Sequence, residues 1–170
     1  MALPKKLRDF NLFGDGEAWQ SQIAELALPK LTRKMEEYRG SGMDGTLEID
    51  MGQEKIEFEW TAAGLIESIF DGYGATAPDH SLLRFSGAYV RDDTGETTSA
   101  DVIVRGRHRE IDMGTAKAGE NNEIKVVTTC SYYKLVIDGQ TFLEIDVPGN
   151  VFIGPDGVDR MAERRRATGL

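Results

Sequence analysis

The side chains that could do chemistry are few. Two histidines, His80 and His108, stand far apart, and neither has a His-x-x-x-His or similar metal-ligand spacing. The single cysteine, Cys130, lies inside an apolar, β-branched run; it reads as a small buried residue and excludes an intrachain disulfide. Carboxylates are plentiful but alternate along extended runs, as in Glu48, Asp50, Glu57 and Glu59, which is a surface pattern. Arg105, Arg107 and Arg109 recur at every second position and suit either phosphate or a neighbouring row of acids. With an acidic chain around them, pairing with carboxylates is the favoured reading. No nucleophile, base and stabiliser come together, no Gly-x-Ser-x-Gly occurs, and the glycines at Asp71–Pro78 are not followed by Gly-Lys-Ser/Thr. The expectation is a protein that is not an enzyme and needs no cofactor or metal.

The elements that position these residues are strands. Thr128–Val147 is two runs rich in β-branched and aromatic residues around Asp138-Gly139, a pair suited to a two-residue type I′ turn. Tyr133, Leu135 and Ile137 share one face, and Leu143, Ile145 and Val147 share one on the other arm. Leu47, Ile49 and Met51 alternate with polar residues, as do Ile56, Phe58 and Trp60, so a second hairpin is expected through Met51–Gln53. Its polar face would carry Glu48, Asp50, Glu57 and Glu59. Opposed like charges weaken a ladder, so that face should meet water. Leu82–Val90 and Ser99–Met113 read as two more strands joined by Asp92-Asp93-Thr94-Gly95, with Val102, Val104 and Gly106 opposite the arginines. Leu31–Tyr38 reads as extended and solvated or intersubunit. Leu65, Ile66, Ile69 and Phe70 give helical spacing over Ala62–Phe70, stopped by Asp71-Gly72. A short strand at Val151–Ile153 precedes the turn Gly154–Gly157, and a C-terminal helix is expected over Val158–Ala167, its Arg164–Arg166 at the end the helix dipole favours.

At 170 residues the chain is long enough for one domain with its own core: an arm at 1–10, a glycine-rich loop at 39–45, and a helical segment at 154–170. The net charge of −9 is concentrated, since residues 35–80 hold 2 Lys/Arg against 11 Asp/Glu. That imbalance disfavours nucleic acid as a tight ligand, although not as a passenger that must not stick. No apolar run approaches a membrane span and the N-terminus has no apolar signal-peptide region, so folding in a reducing cytoplasm without stable membrane binding is expected.

Read in order, Leu28-Pro29-Lys30-Leu31, Glu37-Tyr38-Arg39, Gly42-Met43-Asp44, Ile49-Asp50-Met51-Gly52, Lys117-Ala118-Gly119-Glu120, Ser131-Tyr132-Tyr133-Lys134-Leu135, Asp138-Gly139, Glu144-Ile145-Asp146, Gly157-Val158-Asp159 and Gly169-Leu170 resemble the major tail tube protein of contractile-tailed phages and the related R-type pyocins. The resemblance runs almost end to end, and its specificity lies in order and joint coverage. The chain departs from it at the acidic turn Asp92–Glu96 and at Arg164–Arg166. The resemblance implies a mainly β fold, a barrel or sandwich of antiparallel strands with a flanking helix and a short C-terminal helix. It implies hexameric rings stacked into a hollow tube, in a virion tail or tailocin particle assembled in the bacterial cytoplasm. Its partners would be further copies, an outer sheath, a tape-measure protein inside during assembly, and baseplate and terminator proteins, with DNA passing through the lumen. On that basis Glu48, Asp50, Glu57 and Glu59 are expected to face the lumen. Arg39, Gly40, Ser41, Gly42, Met43 and Asp44 are expected to reach a neighbouring copy, and Arg105, Arg107 and Arg109 to pair with its carboxylates. A type VI secretion tube component and a monomeric β-sandwich binding module are the alternatives.

Overall fold

The computed structural model describes Met1–Leu170. Eleven strands make up most of it: β1 (Lys5–Gly14), β2 (Glu17–Ala18), β3 (Ile23–Ala27), β4 (Arg33–Tyr38), β5 (Leu47–Gln53), β6 (Ile56–Ala62), β7 (Ser81–Arg91), β8 (Thr97–Asp112), β9 (Ile124–Ile137), β10 (Gln140–Asp146) and β11 (Val151–Ile153). A 3₁₀ helix at Glu67–Gly72 and one α-helix, α1 (Ala162–Thr168), complete the chain.

The long strand β9 organises the rest. Asp138 (φ 48°) and Gly139 (φ 79°) turn it into β10, with Tyr133 opposite Ile145 and Leu135 opposite Leu143. The Asp138 carboxylate accepts the Ser99 N–H at 2.9 Å, which ties this turn to β8. One edge of β9 pairs with β8 along most of its length. Its other edge is shared: Ile124–Cys130 pair with β6, and Tyr132–Ile137 with β10. The sheet therefore runs β11-β10-β9-β8-β7-β1-β2, with β6 and then β3 branching from the N-terminal half of β9. It is mainly antiparallel β, as expected, and curls over its core without closing into a barrel.

Alternation fills that core. Ile56, Phe58 and Trp60 from β6 meet Val126 from β9, Val104 from β8, Leu83 and Phe85 from β7 and Leu12 from β1, each no more than 2 % exposed. Trp19 stacks on Trp60 with ring centroids 5.1 Å apart. Burying an aromatic side chain of this kind contributes roughly 1.5–3 kcal/mol.

Several expectations need correction. The arm at 1–10 is largely strand, because residues 5–14 pair with β7. β5 does not pair with β6. It pairs with β4, and the two form a separate ribbon. The reason is burial: β6 is apolar enough to sit between β9 and β3, so both of its edges are taken. The helix expected at Ala62–Phe70 is a 3₁₀ helix at Glu67–Gly72, since Ala62 still belongs to β6 and the residue preceding the helix, Ile66, offers no side-chain cap. The C-terminal helix starts at Ala162 rather than Val158. Asp159 accepts the N–H groups of Phe152 (3.2 Å) and Met161 (3.0 Å), which holds that segment against β11.

Candidate assembly surfaces

No cleft gathers catalytic side chains, and no three His, Cys, Asp or Glu residues converge on a metal site. No helix is long and apolar enough to cross a membrane. His80 lies in a loop with Nε2 3.2 Å from Asp71. His108 is 3 % exposed. Its Nδ1 lies 2.9 Å from Thr128 Oγ1, which also accepts the Trp60 indole N–H at 3.2 Å. The Thr128 hydroxyl thus joins the Trp60 indole and the His108 imidazole inside the core. Burial pushes its pKa down to about 4, an effect the nearby Asp15 carboxylate opposes and His80 adds to. Burial likewise pushes the Cys130 thiol up to about 12, with the Glu57 carboxylate adding to the shift. Both are core groups.

The four acids fall into two pairs on two sheets. Glu48 and Asp50 belong to the ribbon, while Glu57 and Glu59 lie on the outer face of β6. Arg33 Nε reaches both Asp50 oxygens, at 3.1 and 2.9 Å, and Gly52 N–H donates to one of them. These bonds hold the Asp50 carboxyl below its ordinary range. Glu48 stands directly opposite Glu37 in the ribbon register. Glu57 is held by ion pairs to Lys55 (3.1 Å) and Arg109 (3.2 Å), whereas Glu59 is exposed.

The three arginines also diverge. Arg105 and Arg107 share the outer face, but a bulge between His108 and Glu110 takes Arg109 out of the alternation. Arg109 pairs with Glu57 in the same chain, and Arg107 donates to the carbonyls of Ala75 (2.9 Å) and Thr76 (3.3 Å). Arg105 lines an outer hollow with Lys134, Asp79 and Asp146, without an ion pair of its own.

The ribbon is the most exposed ordered element. Tyr38 opposite Leu47 and Glu36 opposite Ile49 lie on one face, with Glu37 opposite Glu48 on the other. Tyr38, Leu47 and Ile49 are 51 %, 47 % and 42 % exposed. At its tip Arg39 Nε donates to the Met43 carbonyl at 3.1 Å, and the Gly40 N–H reaches Met43 Sδ at 3.2 Å, so the loop folds on itself. At its base Glu54 N–H donates to Thr32 O at 2.9 Å. The pairing of β4 with β5 escaped the sequence reading, although the charged, extended character of Leu31–Tyr38 was a signal of it.

The chain is thus an open antiparallel sheet with a separate two-stranded ribbon. The family model for phage tail tube protein FII matches residues 4–169. The chain belongs to this family. The tail tube protein of Escherichia phage P2 is 43 % identical with all of both chains covered. The major tail tube protein of Serratia phage KSP20 is 38 % identical, covering 86 % of this chain and 85 % of that one. The fold is shared with a chain of an extracellular contractile injection system PVC sheath-tube complex in the extended state (TM-score 0.53, 9 % identity, 75 % of this chain and 86 % of that one). It is shared also with a chain of the anti-feeding prophage tube-terminating cap (TM-score 0.54, 10 % identity, 75 % and 87 %). The chain is thus a structural phage tail tube protein, and its place is the particle's tail.

Proposed function

We propose that copies of this chain close into six-membered rings, that the rings stack into a hollow tube, and that the lumen is the conduit through which DNA leaves the particle. The carrying observation is the β4–β5 ribbon. A two-stranded ribbon is marginal by itself in water, yet this one exposes an apolar face and two free edges. Such an element is stable when another copy covers it, and ring closure does so without leaving an edge for aggregation.

In this reading the loop Arg39–Gly45 touches a neighbouring copy or ring. Glu48 and Glu59 supply negative charge to the channel wall, with Asp50 and Glu57 beside them already balanced by Arg33, Lys55 and Arg109. A negative wall repels phosphates, so the passenger slides without binding. Of the three arginines, Arg105 is the one left for a carboxylate of another copy. A sheath outside, a tape-measure protein inside during assembly, and baseplate and terminator proteins at the ends complete the partners. The sheath-tube and tube-terminating-cap chains of the same fold support the sheath and the terminator among these.

Deleting Ser41–Asp44 tests the reading. A folded monomer that no longer forms tubes is expected; tubes indistinguishable from those of the intact chain would contradict it.

A further inference from the structure

The ribbon's apolar face needs an apolar surface, and among the exposed apolar side chains beyond the ribbon two groups are candidates. One is Leu65, Phe70 and Tyr73 around the 3₁₀ helix; the other is Leu7 and Phe10 on β1, 41 % and 37 % exposed. Charge separates them. Glu36, Glu37 and Glu48 make the ribbon acidic, and the 3₁₀ surface is acidic too, with Glu67, Asp71 and Asp79. Bringing these together sets like charges against each other at close range. The β1 surface carries Lys5, Lys6 and Arg8, of which Lys5 pairs with Glu96 and Arg8 with Asp92; with Asp9 on the same strand it is charge-balanced.

Backbone geometry points the same way. β1 pairs with β7 along one edge, but on the other β2 covers only Phe13 and Gly14. The edge from Lys5 to Asn11 is left free, beside a hollow of about 740 Å³ lined by Arg8, Phe10, Asn11, Trp19, Ile23 and Ala24. That edge is as long as the 7 residues of β5, whose own outer edge is also free. Free edges of equal length, apolar side chains on both and no opposition of like charge favour adding one strand to another chain's sheet.

We propose that the β5 edge of one copy docks along the free β1 edge of a second copy, with Ile49 and Leu47 over Leu7 and Phe10. This assignment rests on the tube reading and specifies the surface by which copies join.

The test is cross-linking in the full chain carrying Leu7→Cys and Ile49→Cys, both outside the core. The native thiol of Cys130 is buried and stays out of the reaction. Mild oxidation of assembled tubes is expected to give a ladder of linked chains, absent from either single variant and from the Ile49→Cys/Phe70→Cys control. In parallel, the unsubstituted chain is expected to gain hydrogen-exchange protection over Lys5–Asn11 on going from monomer to tube. Tubes without the ladder or the protection would overturn the docking surface and leave the tube reading standing. A ladder from the Phe70 control would assign the contact to the 3₁₀ surface instead. A chain that never leaves the monomer would overturn both readings.

Discussion

Arg33 grips Asp50 through both carboxylate oxygens, at 3.1 and 2.9 Å, across the base of a ribbon that touches little else. An acid whose spacing suggested a channel wall thus also anchors the element that carries it. The Asp50 pKa is depressed, first by the Arg33 hydrogen bond. Its contribution is therefore present above the ordinary carboxylate pKa and is lost as pH falls through the lower folded value. Asp50→Asn should speed amide exchange over Leu47–Gln53 at neutral pH while leaving β9 protected. Unchanged exchange in the ribbon would show that the pair does not hold it.

His108 gives a second pH dependence. Its folded pKa is lowered to about 4 from 6.5, so the unfolded chain binds the extra proton first as pH falls. Stability attached to neutral His108 is complete above pH 6.5 and declines toward pH 4, by up to ~3 kcal/mol. The groups around it are Asp15, which favours the charge, and His80, which opposes it. Urea midpoints of the parent chain should fall across this window more steeply than those of His108→Leu. Parallel curves would contradict the assignment.

Gly106 sits where β8 meets β9 most closely, and a Cβ there would run into the Thr129 carbonyl. Gly106→Ala should cost about 1–3 kcal/mol of unfolding free energy in denaturant titration. Gly45→Ala, which faces open space, is the neutral control.

Asp159 gathers the Arg165 guanidinium at 2.6 Å and the N–H groups of Met161 and Phe152. These bonds, the Arg165 one foremost, bring its carboxyl down to about 2. The C-terminal segment should stay docked down to that pH and loosen as the carboxylate protonates. Asp159→Ala should make the segment after Ile153 an early site of limited proteolysis at neutral pH. Resistance equal to the parent's would place its anchorage elsewhere.

What was legible in the sequence was local. Asp138-Gly139 demands positive φ twice, which so few turns tolerate that strands and register follow from it. β7 and β8 read correctly because their alternation is long. The first half of β1 was missed because a bulge between Leu7 and Asp9 breaks the period that would have joined Leu7 to Phe10 and Leu12. The partner of β5 was illegible for another reason: alternation states which face a strand buries, never which strand it pairs with. His108, by contrast, continues the face of Val102, Val104 and Gly106, so its place in the core was open to reading. The lumen and intersubunit residues depend on contacts between copies, which local periodicity does not encode.

Whether this chain builds a tube is visible in negative-stain electron microscopy of the purified protein at rising concentration. Hollow tubes or stacked rings of one uniform diameter are the predicted result. Particles that remain monomeric at every concentration, with and without baseplate components to nucleate growth, would contradict it.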